Sequence, residues 1–239
     1  MDALKLPQAP WDGDGALDAA NHELEQMTTG EVMQWALETF APHITLASSF
    51  GAEDMVLLDM WAQSNNTPVD VFCLDTGLLF SQTYALIAQV QTTYHITVQR
   101  IRPRISIVQQ ANEFGPSLWS HNPDQCCQIR KVDPLASHLT PYQAWITGIR
   151  RDQNANRRTA PLLGWDPKHG LLKINPLAKW SYDDVFRYLK TRNVPYNPMH
   201  DVGYPSIGCE PCTLPVTGGQ DPRAGRWQGK EKTECGLHL

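Results

Sequence analysis

With 239 residues the chain is long enough to bury the full core of one α/β domain carrying an appended tail. Apolar residues make up 41%, and no window approaches the run of about 18 uncharged apolar residues that a membrane helix needs, so no membrane span is expected. A formal charge of -5 argues against general nucleic-acid binding, which relies on surplus Lys and Arg to displace counterions, while leaving room for local basic groups that hold a small anion.

The opening MDALKLPQAPWDGDGALD has neither a basic nor an apolar leader region, so a cytoplasmic setting with reduced thiols is expected. Ahead of Ala41, Thr28-x-x-Glu31 has the form of a capping box, and Val32, Ala36 and Leu37 follow at helical spacing. After Pro42 the pattern becomes strand (Ile44-Thr45-Leu46-Ala47), loop (Ser48-Ser49-Phe50-Gly51) and helix over 52–62. A second strand over 69–74 ends at Asp75-Thr76-Gly77, a helix follows over 81–94, and a third strand covers 96–101. Strands four and five are expected at 144–149 and 171–174, and Ser181-x-x-Asp184 opens a helix running to about Arg192. The fold class this predicts is α/β, a parallel sheet flanked by helices with right-handed crossovers, whose ligands bind beyond the carboxyl ends of the strands. From Asn193 onward, prolines at 195, 198, 205, 211, 215 and 222 predict a loop-rich tail that is mobile at its end. The expected division is therefore an α/β domain over 1–192, including the N-terminal helical segment, and a C-terminal extension over 193–239.

Two loops stand at the carboxyl edge of such a sheet. Ser48, Ser49 and Gly51 offer hydroxyls, close backbone approach and free amides at a helix N-terminus, which together suit an anion. The loop lacks the Gly-Lys-Ser/Thr ending of a Walker A motif, and an ordinary βα turn explains it equally well. Asp75-Thr76-Gly77 adds support from the same edge, against the alternative of a tight turn capped by its own Asp. Basic residues gather at Arg150-Arg151 after the fourth strand and at Arg223-x-x-Arg226 and Lys230-x-Lys232 before the C-terminus. The guanidinium fork suits sulfate and phosphate.

The six cysteines fall into unlike settings: Cys126-Cys127, Cys209-x-x-Cys212, Cys235 near the end, and Cys73 inside an apolar run where it belongs to the core. Two adjacent cysteines have difficulty reaching one tetrahedral zinc together, whereas a cubane offers a separate iron corner to each thiolate. The two pairs therefore fit a 4Fe-4S cluster better than structural zinc, with unrelated buried or redox thiols as the remaining reading. Lys131 beside the first pair would either stabilise a negative cluster or sit on the surface.

These residues carry a resemblance. Ser48-Ser49-Phe50-Gly51-Ala52-Glu53-Asp54, Leu74-Asp75-Thr76-Gly77, Cys126-Cys127-x-x-Arg130-Lys131, Gly148-Ile149-Arg150-Arg151-Asp152-Gln153, Tyr204-Pro205-Ser206-Ile207-Gly208-Cys209-x-x-Cys212 and Lys232-Thr233-Glu234-Cys235-Gly236-Leu237-His238 resemble the assimilatory sulfonucleotide reductases, and among them the bacterial cluster-containing adenylylsulfate (APS) reductases. The resemblance implies an adenine nucleotide alpha hydrolase-like fold. It implies that Cys126, Cys127, Cys209 and Cys212 hold a 4Fe-4S cluster, with Lys131 between cluster and substrate. Arg150 or Arg151, with Arg223 and Arg226, would contact the phosphosulfate, while Ser48, Ser49, Gly51, Asp75, Thr76 and Gly77 would seat the nucleotide. Some relatives carry a histidine just before the paired cysteines; here the approach is His121-Asn122-Pro123-Asp124-Gln125.

The implied reaction is thioredoxin-dependent reduction of adenosine 5'-phosphosulfate to sulfite and AMP in sulfate assimilation and cysteine biosynthesis. Cys235 would be the nucleophile that forms an S-sulfocysteine, and thioredoxin or a glutaredoxin-like reductant would release sulfite. Glu234 would disfavour the Cys235 thiolate and nearby cations would favour it, so activation should depend on docking of the tail. The 23 positions from Cys212 to Cys235 reach about 80 Å when extended, ample for a swing between substrate and reductant. Reduction of the 3'-phosphorylated substrate (PAPS), or of both, is the nearest alternative. A tRNA-thiolating adenylyltransferase would want an RNA-binding extension, and a redox-sensing nucleotide-binding module would bind without turnover. No nucleic-acid or membrane partner is expected, and the oligomeric state, including a homo-oligomer, is left open.

Overall fold

Strands and helices alternate as the hydrophobic pattern requires, in a computed structural model that describes residues 15–64, 69–218, 221–232 and 234–237. The strand order is β3-β2-β1-β4-β6-β5, formed by β1 (Ile44–Ala47), β2 (Asp70–Leu74), β3 (Val98–Ile101), β4 (Ala144–Ile146), β5 (Leu163–Asp166) and β6 (Leu171–Ile174). Two compact units share the chain. One takes its described residues from the N-terminus to 47, from 53–71 and from 141–194; the other from 48–52, 72–140 and 195 onward.

In the first unit, β1 pairs parallel with β4 and β4 with β6, so that Ile44, Ala144 and Leu172 stand in register. Ile44, Leu46, Ala144, Ile146 and Ile174 are fully buried, as expected for parallel strands covered on both faces. Helix α1 (Ala16–Leu24) lies against β5, where Asn21 Oδ1 accepts the Leu163 amide at 3.1 Å. Helix α2 (Thr29–Phe40) starts at the expected capping box: the Thr28 hydroxyl accepts the Glu31 amide at 3.3 Å, and the Glu31 carboxylate accepts the Thr28 amide at 2.7 Å. Such a cap contributes about 1 kcal/mol, and the helix then buries Val32, Met33, Ala36, Leu37 and Phe40. Helix α3 (Ala52–Gln63) follows the loop after β1, and a further capping box, Ser181 with Asp184, opens the helix Tyr182–Thr191.

The structure departs from the sequence reading at one sheet edge. It adds β5, antiparallel to β6, so the sheet is mixed rather than wholly parallel. Four residues with a glycine at the second position, Leu163-Gly164-Trp165-Asp166, carry too little alternation to announce a strand. The hairpin is instead closed by Asp166, whose Oδ1 accepts the amides of Lys168 and His169, and by Gly170 at φ +69°. Strand β4 also stops at Ile146 rather than 149, because the chain bends where Gly148 passes Asp54; a Cβ at Gly148 would lie 2.6 Å from its Oδ1.

The second unit contains β3, the last residues of β2 from Phe72 on, and helices α4 (Ser81–Tyr94), α5 (Ile107–Phe114), α6 (Leu118–His121), α7 (Pro123–Cys127) and α8 (Asp133–Leu139). Strand β3 begins at Val98 rather than 96, since His95 ends α4 in a left-handed conformation at φ 54°. A π-helical turn, Gln128–Val132, joins α7 to α8. Beyond Asn193 the described residues form only 3-10 turns and loops, as the prolines predict. The described tail residues 234–237 are packed on the body, with Glu234 buried and Gly236 against Val132. No described helix is long and apolar enough to cross a membrane.

Candidate metal and thiol site

Local structure delivers each cysteine pair to one pocket. Asn122 caps α7 by accepting the Gln125 amide, and Pro123 occupies the first turn where its missing N–H costs nothing. This places Cys126 and Cys127 on the last turn, both buried. Cys209 is held opposite: it bridges Leu79, and the next amide, that of Glu210, donates to the Leu78 carbonyl at 2.8 Å. A tight turn follows in which the Cys209 carbonyl accepts the Cys212 amide at 3.0 Å and the Thr213 hydroxyl at 2.9 Å. All four thiols line a single pocket with Lys131 and Trp227.

The four thiols share this pocket without converging on a point. Among the described residues, no three Cys, His, Asp or Glu side chains gather closely enough for a single metal ion. Four cysteines, two of them adjacent in sequence, around a pocket of this kind suit a polynuclear group better than one tetrahedral ion. As free thiols, Cys126 and Cys212 are held protonated: burial first, then repulsion from neighbouring cysteines, pushes both up to about 11.

Cys235 behaves oppositely. Burial pulls its thiol up, yet Lys131, the Leu237 amide and Arg226 outweigh both burial and Glu234 and hold it below the ordinary range. Lys131 is itself stabilised as the cation: burial and Arg226 disfavour its charge, and Cys209, Cys235 and Cys127, when ionised, more than offset that cost. The tail on either side of Cys235 is tied down. Glu234 pairs with Arg223 at 3.2 Å, and Lys232 pairs with Asp124. Trp227 organises the cations, with Arg226, Lys232 and Arg223 over its ring at 4.5, 5.5 and 6.0 Å from the centroid. Arg226 also donates to the Ser206 hydroxyl at 3.3 Å and lies flat on Gly208, where any Cβ would stand 2.2 Å from the guanidinium. That contact explains the glycine before Cys209.

The remaining expected site residues divide. Ser48 is buried and folds its own loop, its hydroxyl accepting the Phe50 amide at 3.2 Å and its amide donating to the Phe72 carbonyl at 2.8 Å. Ser49 is exposed, and Gly51 half-buried. The Asp75 carboxylate is used by the protein: it accepts from Tyr84 at 2.8 Å, Arg100 at 2.8 Å, Arg102 at 2.9 Å and the Gly77 amide at 3.2 Å. Burial raises its pKa, and these donors outweigh that and hold it below the carboxylate range. Thr76 turns its hydroxyl to Cys209 at 3.3 Å, so it faces the thiol pocket. In the first unit, Arg150 is buried and paired with Glu53 at 2.9 Å and with Asp152, and Arg151 pairs with Glu25. Sequence reasoning missed Trp227 as the centre of the cation cluster; its adjacency to Arg226 in a segment with three further cations was the available signal.

Comparison with known proteins fits this geometry. The family described as "Phosphoadenosine phosphosulfate reductase domain" matches residues 43–215. A protein of Bacillus subtilis (strain 168) named adenosine 5'-phosphosulfate reductase 2 is 49% identical over 209 residues, covering 87% of this chain and 88% of that protein. One of Gloeobacter violaceus named phosphoadenosine 5'-phosphosulfate reductase is 43% identical over 225 residues, covering 93% of each. Among solved structures, the phosphoadenylyl-sulfate (PAPS) reductase of Candida auris in its phosphate complex superposes with a TM-score of 0.76 at 32% identity, over 87% of this chain and 100% of that one. On the matched span, the fold and the full-length relatives together, this chain belongs to the phosphoadenosine phosphosulfate reductase domain family.

Proposed function

We propose that the chain reduces adenosine 5'-phosphosulfate to sulfite and AMP in sulfate assimilation, with Cys235 as the nucleophile. The observation that carries this reading is the Cys235 thiol held low by Lys131 and Arg226 beside a pocket of four further thiols. A nucleophilic thiol must be ionised, and cations that stabilise a thiolate also attract the sulfate end of an anionic substrate. The thiolate attacks the sulfate sulfur, the bond from sulfur to the phosphate oxygen breaks, and AMP departs with that electron pair. One thiol of thioredoxin or a glutaredoxin-like dithiol then attacks the Cys235 sulfur and expels sulfite. Its second thiol resolves the mixed disulfide, so both electrons come from the dithiol and Cys235 returns to the thiol.

Cys126, Cys127, Cys209 and Cys212 would hold a 4Fe-4S cluster. When bound, it would supply a fixed charge that biases the electrostatics around the substrate anion. Lys131 bridges the two functions, since it faces Cys209 and Cys127 as well as Cys235. Arg223 is paired with Glu234 in the docked tail, so engaging the substrate requires that it release this carboxylate. Ser49, exposed on the loop after β1, and the Gly77 turn are the parts of the nucleotide loops with room to meet a ligand.

The test is Cys235→Ser assayed anaerobically with thioredoxin. Sulfite formation is expected to vanish while nucleotide binding stays within a few-fold; normal turnover would sink the covalent scheme. The name of the Gloeobacter relative favours a second substrate reading, PAPS or both. Comparing kcat/KM for APS and PAPS on the same preparation separates them.

A further inference from the structure

The wall of the thiol pocket includes a buried cation that the mechanism does not use. Arg130 is 3% exposed, placed there by the π-helical turn that follows Cys127. The extra residue of such a turn re-aims side chains, and π-turns are frequent at functional sites. Here two consecutive basic residues, Arg130 and Lys131, both line the pocket. The Arg130 guanidinium donates to the Thr76 carbonyl at 2.6 Å, to Gln110 Oε1 at 2.8 Å and to the Ile105 carbonyl at 3.5 Å. Each of those first two contacts continues to a different cysteine pair. Thr76 places its hydroxyl 3.3 Å from Cys209 Sγ, and Gln110, 1% exposed, donates its Nε2 to Cys126 Sγ at 3.9 Å.

We infer that Arg130 is the positioning residue of the metal centre: through Gln110 and Thr76 it fixes one thiol from each cysteine pair and so sets the spacing between pairs 82 positions apart. The inference rests on the reading that these cysteines hold a cluster. Its physical basis is charge. A buried guanidinium is costly unless an anion compensates it, and among the described residues its hydrogen-bond partners are neutral oxygens. The anions it faces are Cys126 and Cys209, which exist as thiolates when they ligate metal, and after them the Asp75 carboxylate. Only a planar fork can hold three oxygens on two segments at once, so lysine cannot substitute. The outer contacts of metal ligands tune affinity in this way in other sites, and losing one weakens retention by about 10–100-fold.

The experiment uses the full chain prepared anaerobically, reading iron and acid-labile sulfide per chain, the visible spectrum, and the rate of iron loss to a chelator. Arg130→Met is expected to lose iron at least tenfold faster than wild type, with Arg130→Lys close to it. Gln110→Leu serves where the arginine variants fold poorly, and is expected to speed iron loss several-fold and alter the visible circular dichroism. Gln110→Glu keeps an acceptor for Arg130 but no donor for Cys126, and should resemble Gln110→Leu. Variants that melt earlier yet keep iron and spectrum unchanged would overturn the inference, leaving Arg130 a packing residue. Wild-type protein without iron would instead overturn the cluster reading beneath it.

Discussion

Cys73, buried in β2, and Cys235, half-buried in the tail, end with opposite chemistry. Burial is the largest influence on each. At Cys73 it is reinforced by Asp75 and only weakly opposed by Arg100, and the thiol is pushed up to about 12. At Cys235, Lys131, the Leu237 amide and Arg226 reverse it. Burial alone therefore makes a thiol inert, and reactivity here is conferred by cations that the fold delivers from elsewhere in the chain. Cys73 can do nothing but pack, at 2% exposure on a central strand.

The largest consequence of this contrast lies at alkaline pH. The folded protein keeps the Cys73 proton up to about 12, whereas an unfolded thiol gives it up near 9. Its contribution to stability is whole below pH 9 and is lost as pH rises through about 12, amounting to about 4 kcal/mol at most. Cys73→Ala should cost about 1 kcal/mol at pH 7 through lost packing, yet flatten the fall in stability between pH 9 and 11 in urea titrations. Cys126 and Cys212, pushed up to about 11, add to the same fall in metal-free protein. An unchanged slope in Cys73→Ala would show that β2 opens before its thiol ionises.

How much of this could be read from residues alone follows the range of the interactions. The capping boxes at Thr28 and Ser181 and the apolar runs of β1 and β2 are local, and they stand where their spacing puts them. Strand β5 escaped because an edge strand made by hairpin closure at Asp166 needs no alternation of its own. Within the site, the cysteines announce themselves by spacing and the cations by composition. What a single sequence does not carry is the partner each charge selects. Asp75, expected to help seat a nucleotide, is taken up by Tyr84, Arg100 and Arg102, and Arg150 by Glu53 and Asp152. Arg100 and Arg102 lie 25 and 27 positions from Asp75, and Glu53 lies 97 from Arg150, so these pairings are decided only once the chain has folded.

Lys131 is the sharpest test of the contrast between the two thiols. It is the strongest influence holding the Cys235 thiolate, and it lies outside the named influences on Cys73. Lys131→Met should lower the alkylation rate of Cys235 at pH 7 about 10–100-fold and move the rate profile toward higher pH, as expected when a thiolate loses one close charge. Peptide mass mapping should find Cys73 unmodified in both proteins. Equal rates at Cys235 would mean that the Leu237 amide and Arg226 suffice without the ammonium.

The smallest effect tests whether the lowered Cys235 thiol also helps dock the tail. A group whose pKa falls on docking contributes stability that is fully present above its free value near 9 and is lost as pH falls through the docked value. Docking by this route should therefore strengthen as pH rises toward 9, on top of what the Glu234–Arg223 and Lys232–Asp124 pairs contribute. Amide exchange at Trp227, whose N–H donates to the Cys212 carbonyl at 3.0 Å, reports the docked state. Corrected for intrinsic exchange, its protection should rise between pH 7 and 9 in the wild type and stay flat in Cys235→Ala. Parallel curves would assign docking to the two ion pairs and the Trp227 cation stack alone, and the thiolate would then be a passenger on a tail held by its neighbours.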